Sequence, residues 1–189
     1  GIEVSYGKDV KLTGFYMKPT DQNSAYIYWD YDDGRWASVN LEYGKAWGAK
    51  VDATIGVVKA TAGYTVFKDG QDISYLFIYD NVPSYYDKQK DNKIWNVGVA
   101  FDLAKDLYFR ADYLKSNVDA VYCDGEVFPG FDGDDGYIIG LNYKGAKANE
   151  PGSYGVYANY YDQARSTVIA HTMNGFYGIN GFKGYMIGA

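Results

Sequence analysis

The sequence is poor in the residues that most chemistry needs. It carries one cysteine (Cys123) and one histidine (His171) in 189 residues. That excludes a disulfide framework and leaves little from which to build a zinc site. No run of eighteen apolar residues occurs, so no transmembrane helix is predicted, although membrane β-strands, with their weak alternating signal, stay open. Basic residues are in deficit: 18 Lys and Arg stand against 24 Asp and Glu, a net charge of −6. Nucleic acid is therefore not an expected partner. An initiator Met and a signal peptide are also lacking, and the opening GIEVSYG already reads as a strand, so further sequence is expected upstream.

What is plentiful is Tyr, with 22 copies; aromatics reach 19% beside 23 Gly and only 4 Pro. That mixture favours strands and tight turns over helices, within a length that suits one all-β domain. In NVGVAFDLAKDLYFRADY (96–113), Val97, Val99 and Phe101 alternate with Asn96, Gly98 and Asp102. After a short connection, Leu107, Phe109, Ala111 and Tyr113 alternate with Tyr108, Arg110 and Asp112. Period two on both sides of a tight turn predicts a hairpin with one apolar and one polar face.

The same alternation predicts strands over 2–6, 10–16, 25–31, 37–43, 51–57, 62–66, 137–143, 154–160 and 182–189. That makes about eleven strands of the length used by membrane barrels. Short connections (8–9, 32–35, 58–61, 104–106, 145–152) alternate with longer ones (18–23, 44–49, 69–92, 116–135, 162–181). In an up-and-down barrel, that places the short turns at one end and the long loops at the other. SYLFIYD (74–80) also reads as a strand; to keep the alternation, it is assigned to a long loop folding inward.

Aromatics of the apolar phase cluster at strand ends (Tyr6, Tyr16, Tyr31, Tyr43, Trp95, Phe101, Tyr113, Tyr137, Tyr143, Tyr154, Tyr160), with mainly aliphatic residues between them. Membrane-interface girdles have this pattern. The predicted strands also carry no charge on that phase, and eleven are too many for a small barrel with a packed interior. The apolar phase is therefore expected to face lipid; the alternative is a two-sheet soluble sandwich. The polar phase then lines a water-filled bore, with Glu3, Lys11, Asp30, Asn40, Glu42, Asp52, Thr54, Asn96, Asp102, Arg110, Asp112 and Asn142 as pore-lining candidates. Arg110 stands out as the only Arg predicted inside a strand, permanently charged, with a local pair to Asp112 or Asp102 as its alternative reading.

These strand patterns, with KIWNVGVAFDLAKDLYFRADY, IAHTMNGF and the terminal GFKGYMIGA, resemble bacterial outer-membrane general porins. More narrowly they resemble the porins of diderm Firmicutes, in which an S-layer-homology domain precedes the barrel and grips the cell wall. The resemblance implies a transmembrane antiparallel up-and-down β-barrel of about sixteen strands. It also implies a homotrimer in outer-membrane lipid that passes small hydrophilic solutes and ions by passive diffusion. On this reading, residues 1–189 are a partial barrel domain. The N-terminal wall-anchoring domain, which would bind peptidoglycan or another cell-wall polymer, and the remaining strands lie outside it. The resemblance makes 69–92 the constriction loop, with Asp72, Asp80 and Asp87 opposite wall cations such as Lys11 and Arg110. No cofactor and no enzymatic activity are expected, and the charge of −6 points to mild cation preference. The alternative function is a structural tether between outer membrane and cell wall.

Two weaker constellations remain. FDGDDG offers Asp132, Asp134 and Asp135 to calcium but lacks the closing Glu of a calcium loop, and a solvated acidic turn is the plainer reading. His171 with Ser166 and Asp162 has the residue types of a hydrolase triad without a supporting motif.

Overall fold

A computed structural model describes residues 1–18, 25–30, 35–40, 43–70, 76–79, 82–85, 91–123, 126–167 and 181–189. The strands are, in chain order, β1 (Ile2–Tyr6), β2 (Val10–Met17), β3 (Ala25–Asp30), β4 (Arg35–Asn40), β5 (Tyr43–Ile55), β6 (Val58–Gly70), β7 (Leu76–Tyr79) and β8 (Val82–Tyr85). There follow β9 (Asn92–Ala104), β10 (Leu107–Ser116), β11 (Ala120–Cys123), β12 (Glu126–Asp132), β13 (Asp135–Lys144), β14 (Gly155–Gln163), a 3-10 turn (Arg165–Thr167) and β15 (Phe182–Gly188). Nine strands form one sheet in the order β1-β2-β5-β6-β9-β10-β13-β14-β15, antiparallel at every step. The sheet is an open up-and-down meander with β1 and β15 as its edges.

The predicted asymmetry of connections is present in this sheet. Residues 7–9, 56–57, 105–106 and 145–154 link strands at one end; 18–42, 71–91, 117–134 and 164–181 link them at the other. The hairpins β3-β4, β7-β8 and β11-β12 fall within the first three long connections, each a separate two-stranded sheet. SYLFIYD is accordingly not a strand of the nine. The expectation of wall strands over 25–31 and 37–43 is corrected: β2 pairs directly with β5 from Val10↔Ala53 to Met17↔Ala46, while β3 and β4 pair with each other. Alternation marks a strand without naming its partner. Residues 44–49, expected as a loop, belong to β5, where Ala46 and Gly48 sit opposite Met17 and Phe15.

One turn also moves. Instead of 58–61, the chain reverses at Gly56–Val57, where Gly56 takes φ +62° at no steric cost. In the β9-β10 hairpin, Asp106 takes φ +62° and the ladder slips by one residue between Leu107 and Tyr108. This is a two-residue turn closed by a bulge, with Asp106 in the left-handed position that glycine usually fills.

Because cross-strand partners share a face, the register sorts the side chains into two sets. Outward lie Ile2, Val4, Leu12, Val51, Val97, Val99, Ile139, Leu141 and Ile187, exposed to between 39% and 76%. No second layer covers them among the described residues, which disfavours the sandwich. Aromatic pairs flank this band: Tyr64–Trp95, Tyr113–Tyr137 and Tyr160–Tyr185 toward the long connections, at 4.4–5.1 Å between centroids, and Phe101–Phe109 toward the short turns at 5.2 Å. Inward, a small cluster of Ala46, Phe67 and Ile94 is buried with Met17 and Leu114 against it.

Since Asp106 pays for a left-handed backbone, Asp106→Gly is expected to hold or raise stability, and Asp106→Val to lower it by about 1–2 kcal/mol. Urea unfolding of the folded protein checks this; equal midpoints for the two variants would contradict the turn geometry.

Candidate functional site

The inward face is polar over the half of the sheet nearest the short turns. Its centre is an open trough of about 450 Å³, whose lining includes Lys11, Asp52, Thr61, Tyr108, Arg110 and Asp112. Five consecutive strands, β2, β5, β6, β9 and β10, bring these residues together. Lys11 stands directly opposite Asp52 in the register. The Asp52 carboxylate accepts the Thr61 hydroxyl at 2.8 Å and pairs with the Lys50 ammonium at 3.3 Å. The Lys59 ammonium lies 6.0 Å from the Tyr108 ring centroid, and Arg110 clasps Asp112 through Nε (3.1 Å) and Nη2 (3.0 Å).

Glycines on the same face explain how these side chains lie. Gly98 faces Asp112 across the ladder, and Gly140 faces both Arg110 and Asn159. A β-carbon at Gly98 would overlap the Asp112 carboxylate; one at Gly140 would meet the Asn159 amide and come within 3.0 Å of Arg110 Cγ. The polar side chains therefore lie flat across the glycine of the next strand. The space above the sheet stays open.

Of the predicted lining residues, Lys11, Asp52, Thr54, Arg110 and Asp112 border the trough. Glu3, Asn96, Asp102 and Asn142 share its face, opposite Phe15, Gly63, Tyr108 and Tyr157 respectively. Asp30 and Asn40 belong to the separate β3-β4 sheet and not to the nine strands. Glu42, Asp72, Asp80 and Asp87 lie outside the described residues. Of the two readings of Arg110, the pair with Asp112 is present; Arg110 is also not alone in a strand, since Arg35 opens β4. The expectation missed Lys50 and Lys59. The expected turn over 58–61 contains Lys59, and its actual position at Gly56–Val57 puts Lys59 opposite Thr54.

Charge on this face does not follow the whole chain. Among the described strand residues, Lys11, Lys50, Lys59 and Arg110 stand on this face with Glu3, Asp52, Asp102 and Asp112, so both signs of charge are present there while the chain carries −6.

Beyond the aromatic row on the outward face, at the long-connection end, the sheet becomes ionic. Lys183 donates to Asp162 at 2.7 Å, as does the Tyr160 hydroxyl at 3.2 Å, and Lys115 donates to Asp134 at 2.7 Å. The Lys183 hydrogen bond holds the Asp162 carboxyl below the ordinary carboxylate range, and the same bond holds the Lys183 ammonium above the ordinary lysine range.

The described members of the weaker constellations are engaged elsewhere. Asp134 is engaged by Lys115, Asp135 accepts the Tyr137 hydroxyl at 3.3 Å, and the backbone of Asp132 ends β12 opposite Ala120. No group of three or more metal-holding side chains comes together among the described residues. Ser166 donates to the Gly133 carbonyl and Asp162 is held by Lys183, while His171 lies outside the described residues. Compared with known protein families, with curated proteins and with solved structures, the chain matches none.

A methyl at Gly98 is expected to turn the Asp112 carboxylate away and release Arg110. The pair is half-exposed, so Gly98→Ala is expected to cost no more than about 1 kcal/mol. A structure of the variant decides the matter: an intact Arg110–Asp112 contact would contradict the packing described.

Proposed function

We propose that this chain forms part of the wall of a bacterial outer-membrane porin. Its outward face would meet lipid and its inward face would line a channel for passive diffusion of small hydrophilic solutes. One observation carries the reading: among the described residues, a nine-stranded meander leaves a continuous apolar face uncovered between aromatic borders, while the opposite face is polar over its half nearest the short turns and holds a trough there. A soluble protein rarely leaves so extended an apolar surface bare. A bilayer covers it without a second layer of protein, and amphipathic rings at its borders suit the headgroup depth.

Passive diffusion asks no catalytic group of the wall, only polar lining and a field. The lining charges are of both signs and not uniformly spread. Lys11, Lys50, Lys59 and Arg110 lie close together around Asp52 and Asp112. Such a wall favours weak selectivity governed by local charge rather than by the net charge of the chain. A complete pore needs more strands than these nine, and the resemblance supplies a trimer and a wall-binding domain as the remaining parts of the proposal.

Planar-bilayer recording of the full-length protein tests the reading. Large, ohmic, weakly selective current steps are expected; correctly folded protein that passes no current would overturn it. Arg110→Glu replaces one positive charge by a negative one on the lining and is expected to move the reversal potential toward cations. An unmoved potential would remove Arg110 from the conduction path. On the outward face, Ile139→Lys puts an ammonium in the middle of the apolar band. It is expected to cost about 2–4 kcal/mol in a bilayer if that band faces lipid, and unfolding from vesicles that shows no loss would place Ile139 elsewhere.

A further inference from the structure

The inward face is crossed at its long-connection end by a segment that alternation gives no reason to expect there. After β14, residues 164–167 turn inward instead of continuing along the strand. The Ala164 amide donates to the Asp135 carbonyl at 2.9 Å, and the Thr167 hydroxyl folds back to the Ala164 carbonyl at 2.9 Å. The decisive contact is remote: the Asn92 side-chain amide, at the start of β9, donates to the Ser166 carbonyl at 2.7 Å. Between β14 and β9 stand β13 and β10, so the contact joins elements three strand spacings apart, about 14 Å of sheet.

Asn92 is itself held. The Ser116 hydroxyl, at the end of β10, donates to its other side-chain atom, Oδ1, at 2.7 Å. Asn92, Ser116 and Thr167 are each only 4% exposed, so this is a buried polar clip and not a solvated surface contact. Breaking it would strand buried polar groups, which is costly. Gly136 makes room for the crossing, since a β-carbon there would stand 2.7 Å from the Thr167 hydroxyl oxygen. Beside the clip lie Ile94 and Leu114, part of the small apolar cluster on the same face.

We infer that residues 164–167 are a built-in constriction of the pore, folded over the inner wall and fastened there by Asn92. This rests on the porin reading above. It assigns the narrowing to a fixed piece of backbone clipped to the wall, with Asn92, Ser116 and Gly136 as positioning residues.

The test uses the full-length protein in planar bilayers, with neutral polyethylene glycols of graded size as probes of width, a readout that lining charge does not move. Two variants loosen the crossing independently. Asn92→Asp removes the donor to Ser166 and keeps the acceptor for Ser116; Gly136→Ala pushes against Thr167. Each is expected to raise single-channel conductance by roughly 1.3-fold or more and to admit larger glycols than wild type. Asp106→Gly, in a turn at the opposite end, is expected to change neither. If folded Asn92→Asp and Gly136→Ala channels keep the wild-type conductance and glycol cutoff, the constriction is overturned and the porin reading stands. If Asn92→Asp does not fold, Gly136→Ala decides alone. Folded wild-type protein without current overturns the porin reading, and this inference with it.

Discussion

The antiparallel ladder from β1 to β15 is the constraint on which the other features depend. Side chains alternate with a period of two, so a slip of one residue in any pairing would exchange the faces of every strand beyond it. Held as it is, the ladder puts Val97, Ile139 and Leu141 on one side and Asp52, Asn96 and Arg110 on the other. The turns serve this register. Gly56 and Asp106 accept left-handed backbone so that two-residue connections close without shifting the strands they join, apart from the one bulge after Leu107.

Within that frame, the inward face is organised by what is small as much as by what is charged. Glycines at 98 and 140 let Asp112, Arg110 and Asn159 lie down across the sheet. The ion pairs that result are half-exposed, and such pairs contribute little to stability. Their effect is positional: Asp112 fixes where the Arg110 guanidinium stands, and Lys50 with Thr61 fixes Asp52. A field built this way depends on geometry, and one substitution at a glycine can alter it without removing a charge.

Much of this was legible in the sequence, because alternation and turn residues are local signals. The strands of the nine-stranded sheet were all anticipated, and the contrast between short and long connections gave their up-and-down order. What escaped was non-local. Nothing in residues 25–40 states that β3 and β4 pair with one another while β2 runs on to β5. The turn at Gly56–Val57 was misplaced because Val58 continues an apolar pattern that reads equally well on either side of it. At the site, Arg110 and Asp112 were legible as neighbours of one phase, whereas Asn92 and Ser166 are 74 residues apart and meet only because four strands lie side by side. The apolar cluster on the inner face was missed for a related reason: Ala46, Phe67 and Ile94 come from three strands, and each strand taken singly looks polar on that phase.

The open edges carry the last constraint. Ile2, Val4 and Tyr6 on β1 and Tyr185 and Ile187 on β15 are among the most exposed apolar side chains, on strands whose outer ladder groups have no neighbour in the sheet. In a bilayer such an edge is untenable, because no water is present to satisfy the backbone. Direct closure of these nine strands would also set β1 beside β15 running in the same direction, since an odd meander ends parallel to its start. Antiparallel closure requires an odd number of additional strands, which makes the total even, as is usual for bacterial barrels. The pore reading thus demands more wall than these nine strands provide, and it demands that the added strands present apolar residues outward in phase with Val4 and Ile187. A wall built otherwise would leave β1 and β15 exposed to lipid and could not close.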